Sequence, residues 1–221
     1  MQGLIKAVIF DMDGVLIESE YLWRRAMIAG FKEFGMELTE DDCRKTMGLR
    51  IGEVIESWLS HFKKEHLVAD EIEKRIISRL LELIDQAGNF IPGIPALLAF
   101  CEEKKLKVGL ATSSSKLLMK TVLKKLDLGN TFHSTISAEH MPYGKPHPQV
   151  FLDCAGELIV NPQQCLVIED SLNGVIAAKA AQMKVIAVPD DEHNHLKGFA
   201  VADYTLKNMH EVLGLFKTLF P

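Results

Sequence analysis

The stretch Leu4-Ile5-Lys6-Ala7-Val8-Ile9-Phe10-Asp11-Met12-Asp13-Gly14-Val15 decides how the whole chain is read. Its first half is a short apolar run rich in Val and Ile, the pattern of a buried strand. Two carboxylates, Asp11 and Asp13, follow it directly. In open α/β sheets, ligands bind beyond the C-terminal ends of the strands. Two negative charges crowded at one strand tip are tolerated when a cation lies between them or when one carries a proton. Both conditions belong to a chemical site. A turn capped by Asp11, with Gly14 serving its sharp bend, would use the same residues without a site. The rest of the chain has to separate the two readings.

After Gly14 the apolar period changes. Leu22, Trp23, Ala26, Met27, Phe31 and Phe34 fall on one face of a helix over about 19–34. Thr39 with Asp42 resembles a capping box. Further helical patterns cover about 51–62 and 70–87, and Gly88-Asn89 and Pro92-Gly93 then break the pattern. The remainder alternates. Strands are expected over 106–111, 135–137, 165–168 and 184–188, with a short edge strand over 204–206. Helices are expected over 116–126, 147–158, 173–181 and 208–219. Strands and helices in alternation imply a parallel sheet covered on both faces. The expected architecture is therefore α/β: a Rossmann-like, doubly wound parallel-sheet core over 1–17 and 89–221, with an inserted α-helical cap domain over 18–88. A helical insertion tethered at the ligand edge of the sheet can serve as a lid.

Four strand ends then bring polar groups to one edge. The first carries Asp11 and Asp13, and the second Thr112, Ser113 and Ser114. The loop after Ser137 carries Lys145 in Gly144-Lys145-Pro146-His147-Pro148, and the strand ending at Ile168 carries Glu169-Asp170. Each has an ordinary explanation alone. Lys145 could be a surface lysine in a Pro-rich turn. Glu169-Asp170 could be an acidic pair favoured at a helix start. Ser113, Ser114 and Ser115 could cap the helix that begins at Lys116. Together they fit phosphoryl transfer with a hard cation. Mg²⁺ prefers carboxylate oxygens and offsets the charge of a phosphate dianion. Hydroxyls, backbone N–H groups and a lysine can bind phosphoryl oxygens. One carboxylate can attack, and another can protonate the leaving oxygen and then activate water.

The motifs Asp11-Met12-Asp13-Gly14-Val15, the hydroxyl after the second strand, Lys145-Pro146-His147-Pro148 and Glu169-Asp170-Ser171-Leu172-Asn173-Gly174 resemble the four motifs of the haloacid dehalogenase superfamily. The helical insertion resembles its type-1 cap, so the resemblance covers nearly the whole chain. It implies that Asp11 is the nucleophile and Asp13 the general acid/base, and that Thr112 and Lys145 bind phosphate. Ser113 is a further phosphate-binding candidate. The same resemblance implies a Mg²⁺ site formed by Asp11, Asp170 and the backbone carbonyl of Asp13, with Glu169 as direct or indirect support. Ser19-Glu20-Tyr21-Leu22-Trp23, Met47-Gly48-Leu49-Arg50-Ile51 and Met141-Pro142-Tyr143 are similar to segments of bacterial hexitol and 2-deoxyglucose-6-phosphate phosphatases. Glu18, Thr112 and Gly144 stand where that pattern has Asp, Ser and Ser.

The expected activity is hydrolysis of a small sugar phosphate or sugar-alcohol phosphate through an aspartyl-phosphate. The alternative is a phosphomutase resembling beta-phosphoglucomutase, a family with His where Trp23 aligns. A 2-haloacid dehalogenase lacks the second carboxylate supplied here by Asp13, and a non-catalytic module could have lost its nucleophile or lysine. Trp23, near the start of the first cap helix, and Arg50, in a cap loop, are candidates for substrate contact, Arg50 through a hydroxyl or remote anion. The ordinary readings are a core tryptophan and a solvated arginine. His147 is expected to orient the lysine loop, and His193 and His195 to be exposed loop histidines.

Composition narrows the partners. The 221 residues are 48% hydrophobic and 25% charged with net charge -5. This is ordinary globular composition, and the charge argues against nucleic-acid or anionic-membrane partners. No apolar run is long enough to span a bilayer, and the N-terminus lacks a signal-peptide pattern. Cys43, Cys101, Cys154 and Cys165 show no metal-binding spacing and are expected as reduced, mostly buried thiols of a cytoplasmic protein. A monomer is the default expectation.

Overall fold

The computed structural model describes residues 5–190 and 197–221; Leu4, His193 and His195 lie outside them. Among the described residues, six parallel strands form one sheet: β1 (Ala7–Phe10), β2 (Lys107–Thr112), β3 (Ser134–Ser137), β4 (Cys165–Glu169), β5 (Lys184–Ala187) and β6 (Tyr204–Thr205). Their spatial order is β3-β2-β1-β4-β5-β6. The chain moves outward from β1 through β2 to β3, returns to place β4 on the other flank of β1, and moves outward again. The winding therefore reverses beside β1. Such a switch point opens a crevice beyond the strand ends, where open α/β sheets bind ligands.

β1 is central because it can be buried on both faces. All four residues, Ala7-Val8-Ile9-Phe10, have no exposed surface. Val8 and Phe10 enter one hydrophobic core and Ala7 and Ile9 the other, following the two-residue period of a strand. Pairing is in register, with Phe10 opposite both Leu110 and Ile168. Asp11 therefore lies beside the tips of β2 and β4, where its N–H donates to the Ile168 carbonyl at 3.0 Å.

The insert contains α1 (Glu20–Glu33), α2 (Glu40–Arg44), α3 (Ile51–His61) and α4 (Ala69–Ala87). Ile72, Ile76, Ile77, Leu80 and Ile84 form the buried stripe of α4. They meet the face of α1 that includes Leu22, Ala26 and Phe31. Close packing depends on Gly30, where a Cβ would lie 2.5 Å from Ile76 Cγ1. The Thr39–Asp42 capping box is formed, with Asp42 N–H donating to Thr39 Oγ1 at 3.1 Å and Thr39 N–H to Asp42 Oδ2 at 3.0 Å.

The remaining helices, α5 (Ile94–Glu103), α6 (Lys116–Lys125), α7 (Gln149–Glu157), α8 (Leu172–Ala180) and α9 (Met209–Leu219), cover the sheet. The pattern reading leaves out α5. Its sequence Ile-Pro-Ala-Leu-Leu-Ala-Phe is apolar almost throughout, so no polar face marks a helical period. Pro92-Gly93 also reads as a turn. The helix begins just after that turn, with Gly93 at φ 99 and Pro95 in the first turn, where a missing N–H breaks no helical bond. The helix expected over 147–158 starts at Gln149, because Pro148 occupies its N-cap. All four cysteines are free and buried. Among the described residues, no helix is long and apolar enough to cross a membrane.

Ile76 is fully buried between the insert's helices. Ile76→Ala is expected to destabilise the protein by about 2–5 kcal/mol through lost burial and the cavity left against Gly30, measurable by urea denaturation.

Candidate active site

β1 ends level with Leu110 of β2 and Ile168 of β4, so β2 runs two residues further and β4 one, and the polar groups at these three strand ends converge. Lys145, only 3% exposed, reaches this point from the loop after β3. Its Nζ lies 2.5 Å from Asp11 Oδ1 and 2.6 Å from Glu169 Oε1, and it donates to the Ala111 carbonyl at 3.3 Å. The Phe151 ring of α7 lies under the ammonium, 4.9 Å from ring centroid to Nζ. A buried ammonium needs such partners, since its three donors have no water to turn to. Burial alone would discharge Lys145, but the charges of Asp11 and Glu169 outweigh it and hold the lysine protonated above its usual range.

The carboxylates outnumber that single cation. Asp11, Glu169 and Asp170 are all buried, and one oxygen from each lies within 4.8 Å of the others. Desolvation pushes the Asp11 carboxyl up to about 8; nearby Glu169 and Asp13 add to the rise and Lys145 opposes it. Asp170 is raised well above the ordinary carboxylate range, first by burial and then by the charges of Glu169, Glu20 and Asp11. Excess negative charge on hard oxygen donors, in a space a few ångströms across, fits a divalent cation such as Mg²⁺.

Two glycines make the cluster possible. Gly14 has φ +72, and a Cβ there would lie 2.0 Å from Asp170 Oδ2. A Cβ on Gly174 would lie 1.7 Å from Glu169 Oε1. Glu169 Oε2 is fixed by the Ser171 N–H at 2.9 Å and the Ser171 hydroxyl at 3.0 Å, while that hydroxyl caps α8 by accepting from Gly174 N–H. The acidic pair thus sits at a helix N-terminus and also belongs to the site.

Asp13 lies two residues beyond Asp11 in different surroundings. Its Oδ1 accepts from the Ser19 hydroxyl at 2.6 Å and the Trp23 indole N–H at 2.9 Å. Its Oδ2 accepts from the Ser114 hydroxyl at 2.7 Å. All three donors are neutral. The carboxylate group within 4.8 Å is made of Asp11, Glu169 and Asp170, without Asp13.

The serine run after β2 is divided among tasks. Thr112, almost fully buried, accepts Ser114 N–H on Oγ1 at 3.0 Å. Ser113 Oγ donates across to the Gly48 carbonyl of the insert at 3.0 Å, Ser114 holds Asp13, and Ser115 caps α6. Asp11, Asp13, Trp23, Thr112, Ser113 and Lys145 all line one pocket. Its far wall comes from the insert, including Met27, Leu49, Ile51 and Val54 beside the charged pair Glu20 and Arg24.

Arg50 does not line that pocket. Its guanidinium Nη1 donates to the Met141 carbonyl at 2.5 Å, and Nη2 to Glu53 at 2.6 Å. In sequence Arg50 is marked by its loop position and by the family-like segment Met47–Ile51, neither of which reveals these distant acceptors. Glu20, not singled out from sequence, lines the pocket, and its carboxyl is pushed up to about 7, by burial and then by Asp190. Its signal lay in the Ser19–Trp23 segment, which shows family resemblance as a block but does not distinguish its members. His147 is exposed, with Nδ1 accepting from Gln149 N–H and its ring 5.1 Å from that of Tyr143.

Residues 8–188 match the family model for haloacid dehalogenase-like hydrolases. The chain is 40% identical over 209 residues to hexitol phosphatase B of Escherichia coli K12, covering 94% of each chain. It is 34% identical over 226 residues to a phosphorylated carbohydrates phosphatase of Thermotoga maritima, covering 96% of this chain and 99% of the relative. The crystal structure of beta-phosphoglucomutase from Clostridium difficile superposes with a TM-score of 0.87 at 25% identity, covering 98% and 97% of the two chains.

The burial and crowding of these carboxylates have a thermodynamic signature. Asp11 binds its proton up to about pH 8 in the metal-free folded protein, against an ordinary value of 3.8. Between those values the folded state holds more protons than the unfolded state, so stability falls as pH rises through the window. The melting temperature of metal-free protein is expected to drop between pH 5 and 8. Mg²⁺ should reverse the drop and release protons on binding, measurable by calorimetry in two buffers of different ionisation enthalpy. A metal-free melting temperature independent of pH would contradict the reading.

Proposed function

This chain belongs to the haloacid dehalogenase-like hydrolase family, and from that premise we propose that it hydrolyses a small sugar or sugar-alcohol phosphate through an aspartyl-phosphate on Asp11. The observation that carries the reading is the division between its two aspartates. Asp11 sits against a charged lysine inside the carboxylate cluster, whereas Asp13 is held by three neutral donors at the pocket wall. Two carboxylates in contrasting environments suit two chemical roles. Hexitol phosphatase B and the phosphorylated carbohydrates phosphatase, whose lengths this chain matches, support the reaction and the substrate class.

In this mechanism Lys145 neutralises charge between Asp11 and the incoming phosphoryl group. Thr112 and the Ser113 backbone N–H bind phosphoryl oxygens. Asp11 attacks phosphorus in line with the leaving oxygen, and Asp13 donates a proton to that oxygen as it departs. Asp13, now an anion, takes a proton from water attacking the aspartyl-phosphate, which frees Asp11 and releases phosphate. Asp11, Asp170, Glu169 and the Asp13 carbonyl would hold Mg²⁺; bound there, it offsets the clustered negative charge and polarises the phosphoryl group. The helical insert closes the pocket and excludes water that would otherwise compete for the donors.

Hydrolysis is favoured over a mutase by Trp23. Its indole N–H already donates to Asp13, and an indole nitrogen can donate but cannot accept a proton. It cannot relay a proton from a sugar hydroxyl to Asp13, as a histidine could. Four buried free thiols suit a reducing compartment such as the cytoplasm. The single-lysine anion site, in a chain of net charge -5, suits a small phosphorylated ligand better than nucleic acid.

Phosphate release should be measured with Mg²⁺ on 2-deoxyglucose 6-phosphate, sorbitol 6-phosphate, mannitol 1-phosphate and beta-glucose 1-phosphate. Strong release from one or a few is expected. Asp13→Asn should lower kcat by about 10²–10⁴-fold with a smaller change in KM, and Asp11→Asn should abolish turnover. Conversion of beta-glucose 1-phosphate to glucose 6-phosphate without phosphate release would replace hydrolase with mutase.

A further inference from the structure

Gly144 stands immediately before Lys145, at a position where a serine would fit the sequence pattern. Its backbone does not require glycine, since the described glycines with positive φ are Gly14, Gly35, Gly48 and Gly93. The requirement is space. A Cβ on Gly144 would lie 2.8 Å from Arg50 Nε, and 3.0 and 3.1 Å from the two carboxylate oxygens of Glu53. The insert therefore presses an ion pair directly onto the residue that precedes the site lysine.

That ion pair is built at the start of α3. Arg50 N–H donates to Glu53 Oε2 at 3.0 Å, and Arg50 Nη2 to Glu53 Oε1 at 2.6 Å. The carboxylate thereby holds the guanidinium in one orientation. The other arm, Nη1, donates to the Met141 carbonyl at 2.5 Å and lies 3.4 Å from the Ala138 carbonyl. These carbonyls, with that of Gly144, shape the turn leading to Lys145: Met141 N–H donates to Ala138, and His147 N–H to Gly144. Two further contacts bring the same insert loop onto neighbouring core loops. Ser113 donates to the Gly48 carbonyl, and Asn173 Nδ2 to the Met47 carbonyl at 3.2 Å. Residues 47–50 thus touch three of the four core loops that supply the phosphate-binding and acidic groups.

We propose that the Arg50–Glu53 pair is a latch: closing of the insert seats it on Gly144 and locks the 138–145 turn, so that Arg50 is a positioning residue for Lys145 and not a substrate contact. Its guanidinium is committed to protein acceptors outside the pocket. Arginine suits the task because its planar fork can engage a carboxylate and a carbonyl together, which a lysine ammonium does less well. The latch couples closure to chemistry. Lys145 is held from below by Asp11, Glu169 and Phe151 throughout, but the turn that carries it is braced from above only while the insert is down.

The proposal rests on the phosphatase reading for its kinetic test, and amide exchange provides a test independent of activity. Arg50→Ala, Arg50→Lys, Gly144→Ala and the double variant Arg50→Ala/Gly144→Ala should be compared with wild type on a hexitol phosphate and on p-nitrophenyl phosphate, which has no polyol to bind. A latch predicts that Arg50→Ala lowers kcat by about tenfold to 10²-fold on both substrates alike, with partial recovery in Arg50→Lys. Gly144→Ala should produce the same fall with Arg50 intact and add little in the double variant, because both changes break one contact. Backbone amides of residues 138–145 should exchange faster in Arg50→Ala and in Gly144→Ala. A loss confined to the hexitol phosphate and expressed in KM would assign Arg50 to the substrate and overturn the latch. Additive losses, or unchanged exchange in the turn, would overturn it too. If wild type releases phosphate from neither substrate, the phosphatase reading fails, and the exchange comparison alone decides the latch.

Discussion

One buried ammonium holds this active site together. Lys145 is the cation shared by Asp11 and Glu169, which come from the tips of two adjacent strands. Without it, three carboxylates would lie within a few ångströms in a region largely closed to water, a costly arrangement. With it, the cluster still carries an excess of negative charge. That remaining imbalance would suit a divalent cation, and it adds to the burial that chiefly raises the carboxyls of Asp11 and Asp170. The glycines at 14 and 174 follow from the same constraint, since the carboxylates occupy the space where their side chains would lie.

The surroundings of Asp13 show how the insert enters the chemistry. Of its three donors, Ser114 comes from the core, Trp23 from α1, and Ser19 from the connection leading into α1. The second carboxylate is therefore held jointly by both parts of the chain, and movement of α1 away from the sheet would remove the Trp23 donor. The 47–50 loop gives the opposite side of the insert a second set of contacts with the core. The insert thus meets the core at two seams, one at Asp13 and one at Gly144. The pocket wall that carries Glu20 and Arg24 among apolar side chains lies on the insert itself.

Much of this was legible from local pattern. The β1 run followed by Asp11 and Asp13, the alternating strands and helices after residue 106, the capping box at Thr39 and the cap of α6 at Ser115 all follow from short-range rules of burial, period and hydrogen bonding. Where those rules fail, the failures have physical causes. Helix α5 has no polar face to reveal its period until Glu102, because its exposed side is built from Pro95, Ala96 and Ala99. Arg50 has no sequence neighbour that indicates its fate, because its acceptors at 138 and 141 are separated from it by about ninety residues of chain. Glu20 has its carboxyl raised first by burial and then by Asp190, which lies still further away in sequence.

The sequence by itself determined the chemical inventory and its allotment to strand ends, because strand periodicity and turn chemistry act over a few residues and tie each functional group to the element that precedes it. It also marked Gly144 as a departure from the expected serine. Tertiary structure alone decided which groups meet: that Lys145 bridges Asp11 and Glu169, that Asp13 is held by Ser19, Trp23 and Ser114, and that Arg50 is spent on the turn before Lys145. Those outcomes depend on sheet order and on how the insert seats against the core. Both are set by burial and close approach between segments far apart in the chain.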